Sequence, residues 1–433
     1  MHLEDCPCTF RELSPLIGAC MCGKVICAGA GFITIKNSKG CGYVFDILCK
    51  SIEDMPGLSF DCACGRKHSV EIDKIVVRND VTDEVAEYLE PYKNKRLFVL
   101  SDSNTYEVLG KSVADYLKQK GFSFKSFVFE TGSHALVPDE RSIGRVLLEL
   151  EPETAFMLVV GSGVLNDIAR IVSFRAGIDF AVACTAPSMD GYASVGSSLI
   201  VSNRKITYYS HYPSAIFADI SVMKNAPLIM IQAGYGDVLG KLTALADWNL
   251  TRIVNNEFYC ETIAALVQKG VDKCIESAEG LADRDENAIR YLTEALIITG
   301  ISIGLAGVSR PASGTEHQLA HYWEIKAVEQ GIDHPLHGNA VGVGTVVTAM
   351  LYELASEILP KGINYPTVEY VIQLLKKVGS CTNPKDLGIS RDLFVESLMN
   401  AMNIRDKYTI LRYCDQKGKL AEFTDIITRR LYG

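Results

Sequence analysis

The chain has 433 residues, 48% of them apolar and 22% charged, with a formal net charge of −9. That profile excludes disorder and collagen, and the length allows two to three domains with a core that needs no disulfide staples. An acidic balance without a long Lys/Arg cluster repels phosphate backbones, so no nucleic-acid partner is expected. No stretch reaches about 18 uninterrupted apolar residues, and the start, MHLEDCPCTF, lacks the basic-then-apolar layout of a secretion signal. The expectation is a cytoplasmic protein with no membrane span.

Residues 1–85 predict an N-terminal extension of short β elements, with β-prone runs at Gly31–Ile35 and Gly42–Leu48 and no helix-length periodicity. Nine of the 14 cysteines fall in the first 64 residues: Cys6, Cys8, Cys20, Cys22, Cys27, Cys41, Cys49, Cys62 and Cys64. Three pairs are C-x-C, not the C-x-x-C of zinc knuckles and redox motifs. One reading is a structural metal or a redox clip with His68 as a fourth ligand. The simpler reading is reduced thiols acting as small hydrophobes. Residues 1–55 hold no block with site chemistry and are expected to be dispensable for turnover.

From Arg96 strands and helices alternate: Leu97–Leu100, a helix Ser103–Lys120, a strand Phe124–Phe129, a helix Asp139–Leu150 and a strand Phe156–Val160. A helix Asn166–Ala176, a strand Phe180–Cys184, a hairpin Ser198–Tyr209 turning at Ser202, Asn203 and Arg204, and a strand Ala215–Ala218 follow. This predicts an α/β domain, 86–221, with a parallel sheet. From Val222 the β signal vanishes. Helical patterns at Gly240–Asn255, Glu261–Gly280, Glu286–Gly304, Thr345–Leu359 and Thr367–Val378 predict an all-helical domain, 222–433, with loops at Pro311, Pro335 and Pro384. A site is expected in the cleft between the two, at the carboxyl ends of the strands.

Three motifs have the residue types for chemistry there. Val160-Gly161-Ser162-Gly163-Val164-Leu165-Asn166-Asp167 follows a strand and opens a helix, so small residues let backbone N–H groups approach a pyrophosphate. It departs from G-x-G-x-x-G because Asn166 stands at the third glycine, and a plain tight turn with Asn166 or Asp167 as N-cap is the bland alternative. Thr185–Ser194 (TAPSMDGYAS) ends the next strand with hydroxyls and an Asp-Gly pair. It suits a ligand-facing loop or, alternatively, an Asx-turn at Asp190-Gly191. In the helical half, Asp237, His317 and His337 are candidate ligands of a divalent metal. Four of the eight histidines, His317, His321, His334 and His337, lie within 21 residues, and His317 and His321 share a helix face at i, i+4. The bland readings are hydrogen-bonded packing for a helical His and a solvated loop for His334.

Together these motifs resemble the sn-glycerol-1-phosphate dehydrogenase family, its bacterial, AraM-like branch in particular, within the superfamily of iron-containing alcohol dehydrogenases, glycerol dehydrogenases and dehydroquinate synthases. The resemblance runs from about Phe60 (FDCACGRKHSV) to the C-terminal helices. It rests on VLSDSNTYEVLG (Val99–Gly110), VVGSGVLNDIAR (Val159–Arg170), TAPSMDGYAS, AGYGDVLGKLTALADW (Ala233–Trp248) and SRPASGTEHQLAHYWE (Ser309–Glu324). Several members carry Gly-Gly-Gly and a helix lysine where this chain has Gly161-Ser162-Gly163 and Arg170.

The resemblance implies a dehydroquinate synthase-like fold and reduction of dihydroxyacetone phosphate to sn-glycerol 1-phosphate with NAD(H) or NADP(H). It implies one divalent metal, zinc, nickel or iron, on Asp237, His317 and His337, and a homo-oligomer. Gly161, Ser162 and Gly163 would hold the pyrophosphate, with Asp102, Asp167, Thr185, Ser188 and Ser194 at other parts of the cofactor. Asp190 would orient substrate hydroxyls, and His321 would relay a proton or meet the substrate phosphate. The alternatives are a glycerol dehydrogenase of the same superfamily and a catalytically inactive metal- and nucleotide-binding scaffold. A dehydroquinate synthase is disfavoured because its first metal ligand is a Glu, and a non-haem iron oxygenase because a nucleotide turn and a helical second domain do not accompany that chemistry.

Overall fold

A computed structural model describes residues 24–28, 32–36, 46–131 and 136–433. Cys6, Cys8, Cys20, Cys22 and Cys41 lie outside the described residues. Six strands form one parallel sheet: β1 (Lys74–Arg78), β2 (Arg96–Asp102), β3 (Ser123–Phe129), β4 (Thr154–Gly161), β5 (Asp179–Cys184) and β6 (Ala215–Asp219), in the order β1-β6-β5-β4-β2-β3. β5 and β6 are almost wholly buried, which is why they read as unbroken apolar runs. β1 lies within the span read as an extension, so that extension supplies an edge of the main sheet.

Side chains alternate across the sheet. Leu97 and Val99 face helices Thr82–Leu89 and Lys111–Gln119, whereas Phe98 and Leu100 join the core that continues through the helical half. One sheet face therefore shares its core with the second domain, and burying it locks the two halves together.

Helix α1 (Gly163–Ala176) follows β4. The helical half is built on α2 (Leu228–Asn255), α3 (Glu261–Glu276), α4 (Glu286–Ala306), α5 (Thr315–Gln330) and α6 (His337–Leu354). Several boundaries differ from expectation. α1 begins at Gly163 and is capped at Ser162, so neither Asn166 nor Asp167 is the N-cap. α2 and α6 begin at Leu228 and His337, not at Gly240 and Thr345, because their glycine-rich first turns are helical and serve close packing. The stretch expected as Glu261–Gly280 breaks after Glu276, and Ser103–Lys120 is interrupted by a π-helical turn at Tyr106–Gly110. The hairpin pairs Gly196–Val201 with Arg204–Tyr209, and Ser202 and Asn203 take positive φ of 50° and 57°, the two left-handed residues of a tight hairpin turn.

The N-terminal segment is not idle. Residues 46–49 form a short helix where an extended run to Leu48 was expected, and Ile47, Ile52 and Met55 are buried in the main core. Glu53 accepts from the Val77 N–H of β1 at 3.0 Å. Among the described residues only α4 is long and apolar enough to cross a membrane, and 67% of its apolar window is buried inside the protein. That is the signature of a core helix.

Candidate active-site cleft

The chain runs outward in opposite directions from the boundary between β2 and β4, so the crevice at their carboxyl ends is the topological switch point. Asp102 ends β2 on one side of it and Gly161-Ser162-Gly163 follows β4 on the other. Asp102 caps a short helix, accepting from the Thr105 N–H at 2.8 Å. A Cβ on Gly161 would come within 2.4 Å of Leu165 Cδ1, so the turn stays tight only with glycine there. Ser162 and Ser188 join hydroxyls at 2.7 Å, tying this turn to the loop after β5, and the Thr185 N–H donates to the Gly161 carbonyl at 3.2 Å.

Other residues assigned to the cofactor have internal partners. Asp167 pairs with Arg170 at 3.0 Å and accepts from the Ser198 N–H at 3.2 Å; burial first, and against the pull of Arg170, pushes its carboxyl up to about 6. Arg170 in turn donates to the carbonyls of Gly191 (2.5 Å) and Gly196 (2.7 Å). The pair braces the 185–194 loop and the hairpin against α1. Ser194 Oγ donates to the Gly191 carbonyl at 3.1 Å.

Two glycines explain how the helical half reaches the loop. A Cβ on Gly234 would sit 1.8 Å from the Pro187 carbonyl, and one on Gly338 would sit 1.8 Å from the Ala233 carbonyl. Any side chain at either place would force α2 away from the loop or α6 away from α2. With glycine there, Asp237 lies between Asp190 and the start of α6. Its Oδ2 accepts from the Asp190 N–H at 2.9 Å, so Asp190 is held by α2 and does not form an Asx-turn.

Ligand atoms of Asp237, His317 and His337 all lie within 4.8 Å of one another. His317 Nε2 is 3.4 Å from Asp237 Oδ1, while its Nδ1 meets Glu316 Oε1 at 2.8 Å. His337 Nδ1 meets Glu324 Oε1 at 2.7 Å. A carboxylate can only accept, so both Nδ1 atoms carry a proton and both Nε2 atoms are turned toward the cluster. Lys241, fully buried, bridges Asp237 (2.6 Å) and Asp190 (2.9 Å). Burial alone would raise the Asp237 carboxyl, but Lys241 and then His317 hold it well below the carboxylate range. Burial would lower Lys241, and Asp190 and Asp237 reverse that, so it stays charged.

A second group adjoins the first. Glu324, fully buried, also accepts from His321 Nδ1 (3.1 Å) and from Lys205 of the hairpin (2.5 Å). His321 is pushed well below its ordinary value by burial and then by the charge of Arg405, so it is neutral with Nε2 free. Arg405 donates to Thr207 Oγ1 at 3.0 Å, again on the hairpin. His334 is exposed in the loop before α6 and takes no part. The structure thus brings together Asp190, Asp237, His317, His321 and His337. Sequence reading missed Lys241, Glu316, Glu324 and Arg405. Lys241 follows Asp237 at i+4 and Glu324 follows His321 at i+3, so helical spacing carried a signal for these two; Arg405 carried none.

A parallel-sheet domain, a Gly-rich turn at the switch point and a carboxylate–histidine cluster on the helical side define the class of iron-containing alcohol dehydrogenases. The family model described as iron-containing alcohol dehydrogenase matches residues 76–227. Solved structures agree in fold: glycerol dehydrogenase from Schizosaccharomyces pombe has a TM-score of 0.62 at 16% identity, covering 82% of this chain and 90% of that one. Maleylacetate reductase from Agrobacterium tumefaciens has a TM-score of 0.63 at 14% identity, covering 83% and 96%. Among curated relatives, glycerol-1-phosphate dehydrogenase (NAD(P)+) of Halalkalibacterium halodurans is 34% identical over 82% of this chain and 95% of its own length. The protein of the same name from Methanosarcina mazei is 32% identical over 78% and 89%. This chain belongs to the glycerol-1-phosphate dehydrogenase family, and it is an NAD(P)-dependent oxidoreductase.

Proposed function

We propose that this chain reduces dihydroxyacetone phosphate to sn-glycerol 1-phosphate with NADH or NADPH, and that Asp237, His317 and His337 hold one divalent metal. The observation that carries the reading is the convergence of those three side chains, with both imidazoles oriented by buried carboxylates, beside Asp190 at the carboxyl ends of the strands. The fit to a metal rests on that donor set: one carboxylate and two Nε2 lone pairs, a set that zinc, nickel and iron all accept. When bound, the metal supplies a Lewis acid for the substrate C2 oxygen and the nicotinamide supplies the hydride.

The chain's own residues do the rest. Asp190, held by Lys241, accepts from a substrate hydroxyl and sets the carbonyl's orientation. Arg405 and Lys205 put positive charge on the His321 side of the cleft, where a phosphate dianion is drawn and turned. His321, with Nδ1–H directed at Glu324, takes the alcohol proton on Nε2 in the oxidation direction and returns it in the reduction. Gly161, Ser162 and Gly163 receive the pyrophosphate at the start of α1, with Asp102, Thr185 and Ser188 around it, while Asp167 and Ser194 hold that wall in shape.

The test is turnover of purified protein, followed by nicotinamide absorbance, with dihydroxyacetone phosphate, dihydroxyacetone and glycerol offered in parallel. Phosphorylated substrate is expected to be strongly favoured, and equal rates on dihydroxyacetone would overturn the reading. In the oxidation direction, sn-glycerol 1-phosphate is expected to react and its 3-phosphate enantiomer to be refused; the reverse preference would overturn the stereochemical assignment.

A further inference from the structure

A second cluster lies away from the cleft. The loop Cys62-Ala63-Cys64-Gly65-Arg66 joins two short antiparallel strands, Ser59–Asp61 and Lys67–Ser69, and His68 stands in the second. The loop packs on the N-terminus of α3, where Cys260 is the N-cap. Cys62, Cys64, His68 and Cys260 bring their ligand atoms within 4.8 Å of one another. Cys62 Sγ is 3.6 Å from Cys260 Sγ, Cys64 Sγ is 3.2 Å from His68 Nε2, and Cys260 Sγ is 3.7 Å from the same Nε2. A tetrahedral zinc with bonds of about 2.3 Å to sulfur and about 2.0 Å to nitrogen has edges of roughly 3.8 Å between sulfurs and roughly 3.5 Å from sulfur to nitrogen. Three of the six edges are fixed by these separations and each lies within about 0.3 Å of the tetrahedral value, and 3.6 Å is far too long for a disulfide of about 2.05 Å.

The surroundings aim donors at the sulfurs, although burial pushes the Cys260 thiol up to about 12. His68 Nδ1 is 2.6 Å from the Leu305 carbonyl, which can only accept, so Nε2 keeps its lone pair toward the sulfurs. The Cys64 N–H is directed at the Cys62 sulfur, and the Ile263 N–H, in the first turn of α3, at the Cys260 sulfur. The helix N-terminus adds positive potential where thiolate charge would gather. Arg66 lies beside His68, donating to the Ala306 carbonyl and stacking on Phe258 at 3.4 Å. Thiols acting merely as small hydrophobes require neither four converging soft donors nor a histidine turned by its far nitrogen.

We infer that Cys62, Cys64, His68 and Cys260 form a closed, four-ligand structural zinc site that staples the N-terminal hairpin to α3 and the end of α4. Binding converts three thiols to thiolates and releases three protons, with no change of oxidation state. All four positions are filled by the protein, so no place remains for substrate, and the site is structural. It joins residues 198 apart in the chain, closing the fold from a segment that precedes the first sheet strand.

The test uses the full chain with cobalt in place of zinc. A thiolate-to-cobalt charge-transfer band and intense tetrahedral d–d bands are expected, retained in His317→Ala, which lacks a ligand of the other cluster, and lost in Cys260→Ser. Metal analysis of the zinc form should fall by one equivalent per chain in Cys260→Ser. If that variant does not fold, zinc X-ray absorption on His317→Ala, whose other cluster lacks a ligand, decides, with three sulfurs and one nitrogen expected. A thiolate band that survives in Cys62→Ser/Cys64→Ser, a zinc shell of nitrogen and oxygen alone, zinc absent while the thiols titrate as free, or an intact mass showing a Cys62–Cys260 disulfide would each overturn the site.

Discussion

Two clusters among the described residues have the donors to hold a metal ion without sharing a side chain, and they differ in donor type, number and setting. Asp237, His317 and His337 offer three nitrogen or oxygen donors at the mouth of a cleft, with Asp190, His321 and a buried lysine around them. Cys62, Cys64, His68 and Cys260 offer four donors, three of them sulfur, at a joint between a hairpin and two helices. Three hard or borderline ligands leave a coordination position for a reacting oxygen, whereas four ligands rich in sulfur saturate the ion. The same element could therefore do opposite work at the two places: polarise a substrate at one, close the fold at the other. Each has a histidine whose remote nitrogen is tied down, His317 and His337 by carboxylates and His68 by a carbonyl, so in both an outer acceptor sets which way the ring nitrogen points.

That contrast is broken first at the open cluster. Asp237→Asn or His317→Ala is expected to lower turnover by roughly a thousandfold or more, since a polarising metal is worth several kcal/mol in the transition state. Nicotinamide binding, measured by fluorescence titration, should change little because its turn lies in the other domain. Metal content and turnover on the same preparations check this, and a variant that keeps both would remove His317 from the ligand set. A chelator should likewise abolish turnover reversibly, with recovery on adding zinc or nickel.

Glu324→Gln sharpens the part of the comparison that concerns how the histidines are oriented. Glu324 holds His321 and His337 and takes the charge of Lys205, so losing its charge should weaken metal affinity or turnover by about 10–100-fold, less than removing a ligand. Metal titration and kcat together report it. Equal loss to His317→Ala would mean that Glu324 is itself at the centre.

Cys260→Ser should show the reverse profile. Its melting temperature is expected to fall by about 3–5 °C, the consequence of losing a few kcal/mol of cross-link, while kcat in the folded variant stays within about twofold of the unaltered protein. Calorimetry and steady-state rates separate the two. A collapse of kcat without loss of stability would link the staple to the cleft.

The smallest expected effect concerns the frame behind α5. Asp247 is buried and accepts from Tyr352, from the Thr315 N–H that begins α5, and from the Ile410 N–H. Burial, and then the Glu316 carboxylate, push its carboxyl up from 3.8 to about 6. The folded chain therefore holds this proton to higher pH than the unfolded chain, and the contribution is fully present below about pH 4 and lost as pH rises to about 6. Asp247→Asn loses an acceptor and should be less stable at every pH, but the gap to the unaltered protein should narrow by about 2 kcal/mol between pH 4 and 7. Denaturant titrations at the two pH values check it; a constant gap would mean that Asp247 does not titrate in that window.

Much of this was legible in the sequence. Alternating apolar strands and amphipathic helices announced the parallel sheet, because burial on both faces of β5 and β6 requires unbroken apolar runs. Asp237, His317 and His337 were legible as candidates because a catalytic divalent metal draws three protein ligands from His and carboxylate, and four of the eight histidines lie within 21 residues. The starts of α2 and α6 were not, since glycine lowers helix propensity and the gain that outweighs it, contact of α2 with the Pro187 carbonyl and of α6 with α2, exists only after the chain has folded. Lys241 illustrates the same limit: nothing local says that a lysine is to be buried, and it is tolerated only because Asp190 and Asp237 arrive from two domains to compensate its charge. Cys260 is the clearest case. A C-x-C pair with a histidine nearby offers at most three donors, and the fourth stands 198 residues beyond Cys62, beside it solely because the helical half folds back onto the hairpin of residues 59–69. Residue types and short spacings are properties of the chain alone; convergence across domains depends on the packing of both sheet face and helices into one core, and only the tertiary structure decides that.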